Sequence, residues 1–314
     1  MLTLPKSWMT LFSVILMLAA MLAGCGPGSN TAATEQENSP SSASPSASAP
    51  AASKGPAKIV VTYFPYADHL FALGKADAVA GVVNLKSLRD FTVYDPFLKD
   101  GRIADLGDQA NFEKIVALNS DLIIASQADA PNLDQLSKIA KTVTVNATLN
   151  WQETIRGVAA AVGEEAQAEQ YISQFLKKQA EASAAIEQSG EKGKSALFLM
   201  PWKKSFTYWS GSRMSLYYEK LGFRPFEGMS NVGEITIEGI SKLDPEYIFI
   251  GKDYTNSSEI TLKDLETNPV WNSLSTVKNK KMFVVDTEIL GPLAMGQFKG
   301  LTYMQQLFTG GKAK

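Results

Sequence analysis

The chain holds one cysteine and one histidine in 314 residues. A lone cysteine excludes an internal disulfide framework. Together the two residues leave too few soft or nitrogen donors for the cage expected of a zinc or manganese carrier. A serine triad would have to use His69 alone, and no G-x-S-x-G stretch is present, so hydrolase chemistry has little support. The triplet Gly193-Lys194-Ser195 has the end of a phosphate-binding loop, but position 188 is Gln and the triplet precedes its strand. Excess charge of either sign is also missing, with 30 basic against 32 acidic residues. Nothing in that balance favours a nucleic-acid partner.

A membrane-spanning run is missing too. Residues 8–23 are mostly apolar but number only 16, short of the roughly 20 needed to cross a bilayer. Lys6 precedes them, and Leu22-Ala23-Gly24-Cys25 follows with small residues and the only cysteine. That order predicts a signal peptide over 1–24 with Cys25 as a lipidated first residue. Residues 26–57 contain 8 Ser, 8 Ala and 5 Pro and no aromatic residue. Such a segment cannot bury enough apolar surface to order itself, so 25–57 reads as a tether spanning about 30 Å.

What remains is enough for two lobes with their own cores. Short β-branched runs at 58–62, 78–83, 121–125 and 142–145 alternate with helical spacing at 68–73, 112–118 and 133–140. This pattern predicts a mostly parallel sheet covered on both faces. From Glu164 an apolar stripe of Ala168, Tyr171, Ile172, Phe175, Ala182 and Ile186 keeps to one helical face, interrupted at Gln179. No Gly or Pro intervenes before Gly190, so one amphipathic helix of about 40 Å is expected. A second strand series follows at 195–200, 247–250 and 282–285, with a final helix over 295–308. The predicted fold is α/β, with two similar lobes, each a mostly parallel sheet flanked by helices, joined by one long rigid helix. The boundaries are 58–163 for the N-terminal lobe, 164–189 for the connecting helix and 193–314 for the C-terminal lobe.

The sequence repeats itself once. NFEKIVALNSDLIIAS at 111–126 and TIEGISKLDPEYIFIG at 236–251 align without a gap. They match at Glu113/Glu238, Ile115/Ile240, Leu118/Leu243 and Ile123/Ile248. Each lobe therefore carries the same helix, tight turn and buried strand. Asn111 and Thr236 are good N-caps, and an acid in the first turn is favoured by the helix dipole. Capping alone accounts for each glutamate singly.

Ligands of open parallel sheets bind beyond the carboxyl ends of the strands. Those positions hold Tyr63, Tyr66 and His69; Lys86 and Arg89; Trp202, Lys203, Lys204, Trp209 and Arg213; and Lys252 with Tyr254. Cations interleaved with aromatics suit an anionic, oxygen-rich ligand with flat or chelating groups. The alternative is that these lysines are solvated surface residues and the aromatics lobe core.

The order of lipobox, polar tether, KIVV from Lys58 and NFEKIVAL from Asn111 resembles one class of ABC-transporter solute-binding lipoproteins. So do LDPEYIFI from Leu243, NPVWNSL from Asn268 and GPLA from Gly291. That class carries ferric siderophores, haem and corrinoids, and the resemblance spans residues 58–310. It implies a ligand cleft between the lobes, no enzymatic activity and no resident cofactor, iron entering only within the bound chelate. It also implies a monomer held at the outer face of the cell membrane that delivers cargo to an ABC permease dimer. A ligand-contacting cation is implied near Lys203, and Glu113 and Glu238 would pair with permease arginines. Haem or a corrinoid is the alternative cargo, with His69, Tyr63, Tyr66 or Met200 as axial candidates. A secreted cell-wall hydrolase is the alternative from another class.

Overall fold

The computed structural model describes residues 55–147 and 150–310. The expected signal peptide, Cys25 and most of the tether lie outside the described residues.

Among the described residues, ten strands form two five-stranded sheets. The first comprises β1 (Ile59–Val61), β2 (Val79–Val82), β3 (Ala104–Asp105), β4 (Leu122–Ala125) and β5 (Lys141–Thr144). Its order is β3-β2-β1-β4-β5 and every pairing is parallel. The second comprises β6 (Ala196–Trp202), β7 (Ser205–Trp209), β8 (Val232–Ile235), β9 (Tyr247–Gly251) and β10 (Met282–Val285), ordered β10-β9-β6-β7-β8. Here the expectation needs correcting. The pairs β6–β7 and β7–β8 are antiparallel, so this sheet is mixed.

Both sheets are buried on both faces, which is why their central strands read as unbroken apolar runs. In the first lobe Ile59, Val61, Leu122 and Ile124 face one core, while Val60 and Ile123 face the other with Ile115 and Leu136. In the second, Phe198, Met200 and Phe249 alternate in the same way with Leu197, Leu199, Ile248 and Ile250.

The repeated stretch folds alike in each lobe. Phe112–Ala117 and Ile237–Leu243 are short helices capped by Asn111 and Thr236, whose side chains accept from the N–H of Lys114 and Gly239. Left-handed residues then make the turn, Asn119 (φ 47°) and Asp244 (φ 41°). Asparagine and aspartate tolerate that region better than most residues. Strands β4 and β9 follow, each hydrogen-bonded to the first strand of its lobe.

The helix Glu165–Gln188 has 24 residues and joins the lobes. Its Ala168 and Ile172 belong to the N-terminal core, and its Phe175, Ala182 and Ile186 to the C-terminal one. One rigid rod thus contributes to both hydrophobic cores.

Candidate functional site

A cleft of about 630 Å³ lies where the two lobes and the connecting helix meet. The segment after β1 supplies Tyr63, Phe64 and His69, and the segment after β2 supplies Ser87 and Phe91. Trp151 and Gln152 come from the start of the helix Trp151–Val162. Phe175 and Gln179 of the connecting helix form part of the lining, so the break in the apolar stripe at Gln179 marks the cleft. The second lobe contributes Trp209 through Leu216 in part, Tyr254, and residues between Thr287 and Gln297.

Arg213 is the main charged feature. Its guanidinium carbon stands 5.5 Å from the Trp209 ring centroid, in cation–π contact. No carboxylate pairs with it among the described residues. Partial burial lowers its pKa from the ordinary arginine value, opposed by Tyr254. The site therefore holds a fixed positive charge on an aromatic platform with no internal counterion.

Behind the opposite wall sits a buried pair. His69 lines the cleft yet is only 2 % exposed, and burial pushes its imidazole down to about 3. Among the described residues its Nδ1 has no hydrogen-bond partner, and it lies 3.6 Å from Asp68 Oδ2. Asp68 is fully buried, and burial raises its carboxyl to about 6 against hydrogen bonds from Tyr94 and the backbone of Met295 and Ala294.

A polar clamp closes one side of the cleft. The Thr92 hydroxyl and the Val93 N–H donate to Glu288 Oε1 at 2.9 and 3.2 Å. Lys299 donates to Thr92, Asp286 and Glu288 at 2.6–2.7 Å, and Lys252 donates to Asp286 at 2.6 Å. Partial burial pushes the Asp286 carboxyl up, but Lys252 and Lys299 outweigh it and bring it down to about 2. Phe91 meets Tyr254 edge-on across the same gap, with centroids 5.1 Å apart. Glycine makes the clamp possible at position 296, where a Cβ would come within 2.3 Å of the Glu288 carbonyl oxygen.

The residues picked out from the sequence divide. Tyr63, Trp209, Arg213, Tyr254 and His69 line the cleft. Tyr66 does not; it is fully buried and its hydroxyl donates to the Val145 carbonyl at 2.8 Å. Met200 is likewise core. Lys86 is exposed and paired with Asp108, Arg89 is exposed outside the lining, and Lys252 is committed to the clamp. Trp202, Lys203 and Lys204 also stand outside the lining. The chain reverses there, with Lys203 at φ 48°, so β6 runs directly back into β7. Lys203 lies 5.7 Å from the Trp202 ring centroid and Lys204 pairs with Glu259 at 3.6 Å. The reason is topological. The rule placing ligands beyond strand ends belongs to parallel connections, whereas β6 ends in a hairpin.

Missed from the sequence were Trp151, Gln152, Phe91, Glu288 and Gln297. Gln297 had one usable signal, a polar residue in the first turn of the final helix. Its Oε1 accepts from the Trp151 indole at 3.1 Å. Among the described residues no group of three or more His, Cys, Asp or Glu could hold a metal ion.

A model of the family described as periplasmic binding protein matches residues 59–289. The chain belongs to the periplasmic binding protein family. This is a family of solute-binding proteins. Among its members, the petrobactin-binding protein YclQ of Bacillus subtilis is 26% identical over 298 residues, covering 90% of this chain and 92% of its own. The iron(3+)-hydroxamate-binding protein YxeB of the same species is 29% identical over 253 residues, covering 75% and 74%. The solved structure of YclQ superposes with a TM-score of 0.64 at 23% identity, covering 83% of this chain and 93% of that one. That of FeuA from Bacillus subtilis, complexed with ferri-bacillibactin, gives 0.63 at 23%, covering 82% and 94%. Both solved structures share the α/β fold described above.

Proposed function

We propose that this chain is a lipid-anchored receptor that binds one ferric siderophore in the cleft between its lobes and presents it to an ABC permease. The observation that carries the reading is Arg213, uncompensated and seated on Trp209 at the wall of an aromatic cleft about 630 Å³ in volume. Relatives named for petrobactin, iron(3+)-hydroxamate and Fe(3+)-citrate binding support iron chelates as the cargo class. No bond is made or broken. The protein works as a monomer without a resident cofactor, and iron enters only inside its chelate.

Two further parts belong to the proposal. Cys25 carries the lipid, and the tether to residue 57 sets the reach of the receptor from the outer face of the membrane. Relatives named as substrate-binding lipoproteins support that location. Glu113 and Glu238 are exposed at equivalent positions of the two lobes, in helices already capped by Asn111 and Thr236. Arginines of two permease subunits would meet them as bidentate, directional pairs.

Equilibrium dialysis of the purified protein against radio-iron chelates, with haem and cobalamin as competitors, tests the reading. Retention of a ferric chelate at one per protein is expected. A Soret band acquired from haem with no retention of any chelate would reassign the cargo.

A further inference from the structure

The charge inventory of the cleft is sparse. Its lining includes two cationic side chains, Arg213 and Lys220, and one carboxylate, Glu288. Both cations are exposed residues, and neither pairs with a carboxylate among the described residues. Glu288 is held by Lys299 at 2.7 Å and by two donors from the other lobe, so its charge is already answered. His69 is buried there as the neutral ring. Of the other cationic candidates, Lys86, Lys204 and Lys252 are paired with Asp108, Glu259 and Asp286, while Arg89 and Lys203 stand outside the lining. Residues 148 and 149, outside the described set, are uncharged Thr and Leu.

The rest of the lining is aromatic and neutral polar. Phe64, Phe91, Trp151, Phe175, Trp209 and Tyr254 supply ring surface, and Gln152, Gln179, Ser212 and Ser215 supply amides and hydroxyls. Neutral donors suit neutral oxygen acceptors, and ring faces suit hydrocarbon. A triply negative ligand would meet only the two cations, Arg213 and Lys220, both still open to water, and would leave the rest of its charge unmatched, which is costly.

Ferric chelates differ sharply on this point. Ferric iron brings three positive charges. Three hydroxamates, each with a single negative charge, leave the complex neutral. Three catecholates, each doubly negative, leave it triply negative. Resting on the siderophore reading above, we infer that the cleft selects neutral ferric tris-hydroxamates over tris-catecholates, with Arg213 contacting the chelate's oxygen shell rather than neutralising a net charge.

The test is tryptophan-fluorescence titration of the purified chain with ferrichrome, a neutral tris-hydroxamate, and with ferric enterobactin, a tris-catecholate. Ferrichrome is expected to bind about tenfold more tightly or better. Its dissociation constant should change less than about threefold between about 0.05 and about 0.5 M sodium chloride, because little net charge is there to be screened. Gln179→Lys, with an unchanged melting temperature, should move the ratio about tenfold toward the tris-catecholate. Equal or tighter wild-type binding of ferric enterobactin would overturn the inference and leave the siderophore reading standing. An unchanged ratio in the lysine variant would show that charge does not select, and would overturn it as well. Binding of neither chelate would also overturn this inference, while the siderophore reading is decided by the wider panel of ferric chelates.

Discussion

The backbone N–H of Ala294 donates to Asp68 Oδ2 at 3.0 Å, joining the first helix of the N-terminal lobe to the start of the last helix of the chain. The N–H of Met295 and the Tyr94 hydroxyl donate to Oδ1 of the same carboxylate at 3.1 and 2.8 Å. Asp68→Ala strands three donors in a dry site, so unfolding in urea should show a loss of about 2–4 kcal/mol. A loss below about 0.5 kcal/mol would mean that water reaches those groups.

Asp68 and His69 should pull stability in opposite directions with pH. The Asp68 carboxyl is raised to about 6 in the fold, so its extra bound proton stabilises below the ordinary aspartate range and that gain is lost as pH rises through 6. The His69 ring is lowered to about 3, so its contribution is present above the ordinary histidine value and is lost as pH falls toward 3. Relative to wild type, Asp68→Asn should therefore gain stability as pH rises from about 4 to about 6.5, and His69→Gln should lose it. Chemical denaturation across that window reads both differences from wild type, and like-signed differences would contradict the assignment.

Arg213 rather than Lys203 should govern affinity. Arg213→Ala should cost about 1–3 kcal/mol of binding, with Arg213→Lys in between because the flat guanidinium stacks on Trp209. Lys203→Ala and Lys204→Ala should titrate like the wild type, since neither lines the cleft. A large loss in the lysine variants would move the site to the β6–β7 hairpin.

Closure on ligand binding should be small. The connecting helix inserts side chains into both cores, and the clamp of Thr92, Glu288 and Lys299 already spans the lobes. Small-angle scattering should show a change in radius of gyration under about 1 Å, in contrast to hinged two-domain closure.

Glu113→Ala and Glu238→Ala should leave melting temperature and chelate affinity nearly intact while reducing cellular uptake, the double variant most. Asn111 and Thr236 keep their capping bonds without the glutamates. A large loss of stability would return both acids to a purely local role at the helix ends.

Much of the fold was legible because its signals are local. The connecting helix shows in an amphipathic stripe between Glu165 and Gln188 that no Gly or Pro interrupts, and the repeated stretch announces two related lobes. Strands β3, β7 and β8 went unread. Residues 104–105 form only a two-residue strand, and Ser205–Trp209 pairs back on β6 through a hairpin that no Asn-Gly or Asp-Gly signal marks. The cleft was half legible. Tyr63, Trp209 and Arg213 stand on segments next to strand ends, whereas Trp151, Glu288 and Gln297 reach it only through the packing of the last helix against both lobes. Lys203 and Tyr66 looked equivalent to the true lining residues until the hairpin and the Val145 hydrogen bond gave them other places.

The central claim is that a ferric chelate binds against Trp209 and Arg213. Its most direct test is a calorimetric titration of the wild-type chain and the Arg213→Ala variant with a panel of ferric siderophores, each alongside its iron-free form. The account predicts saturable binding of at least one ferric chelate at one site per protein, weakened about tenfold to a hundredfold in the variant. Heats indistinguishable from dilution for every chelate, in protein that still melts cooperatively, would contradict it.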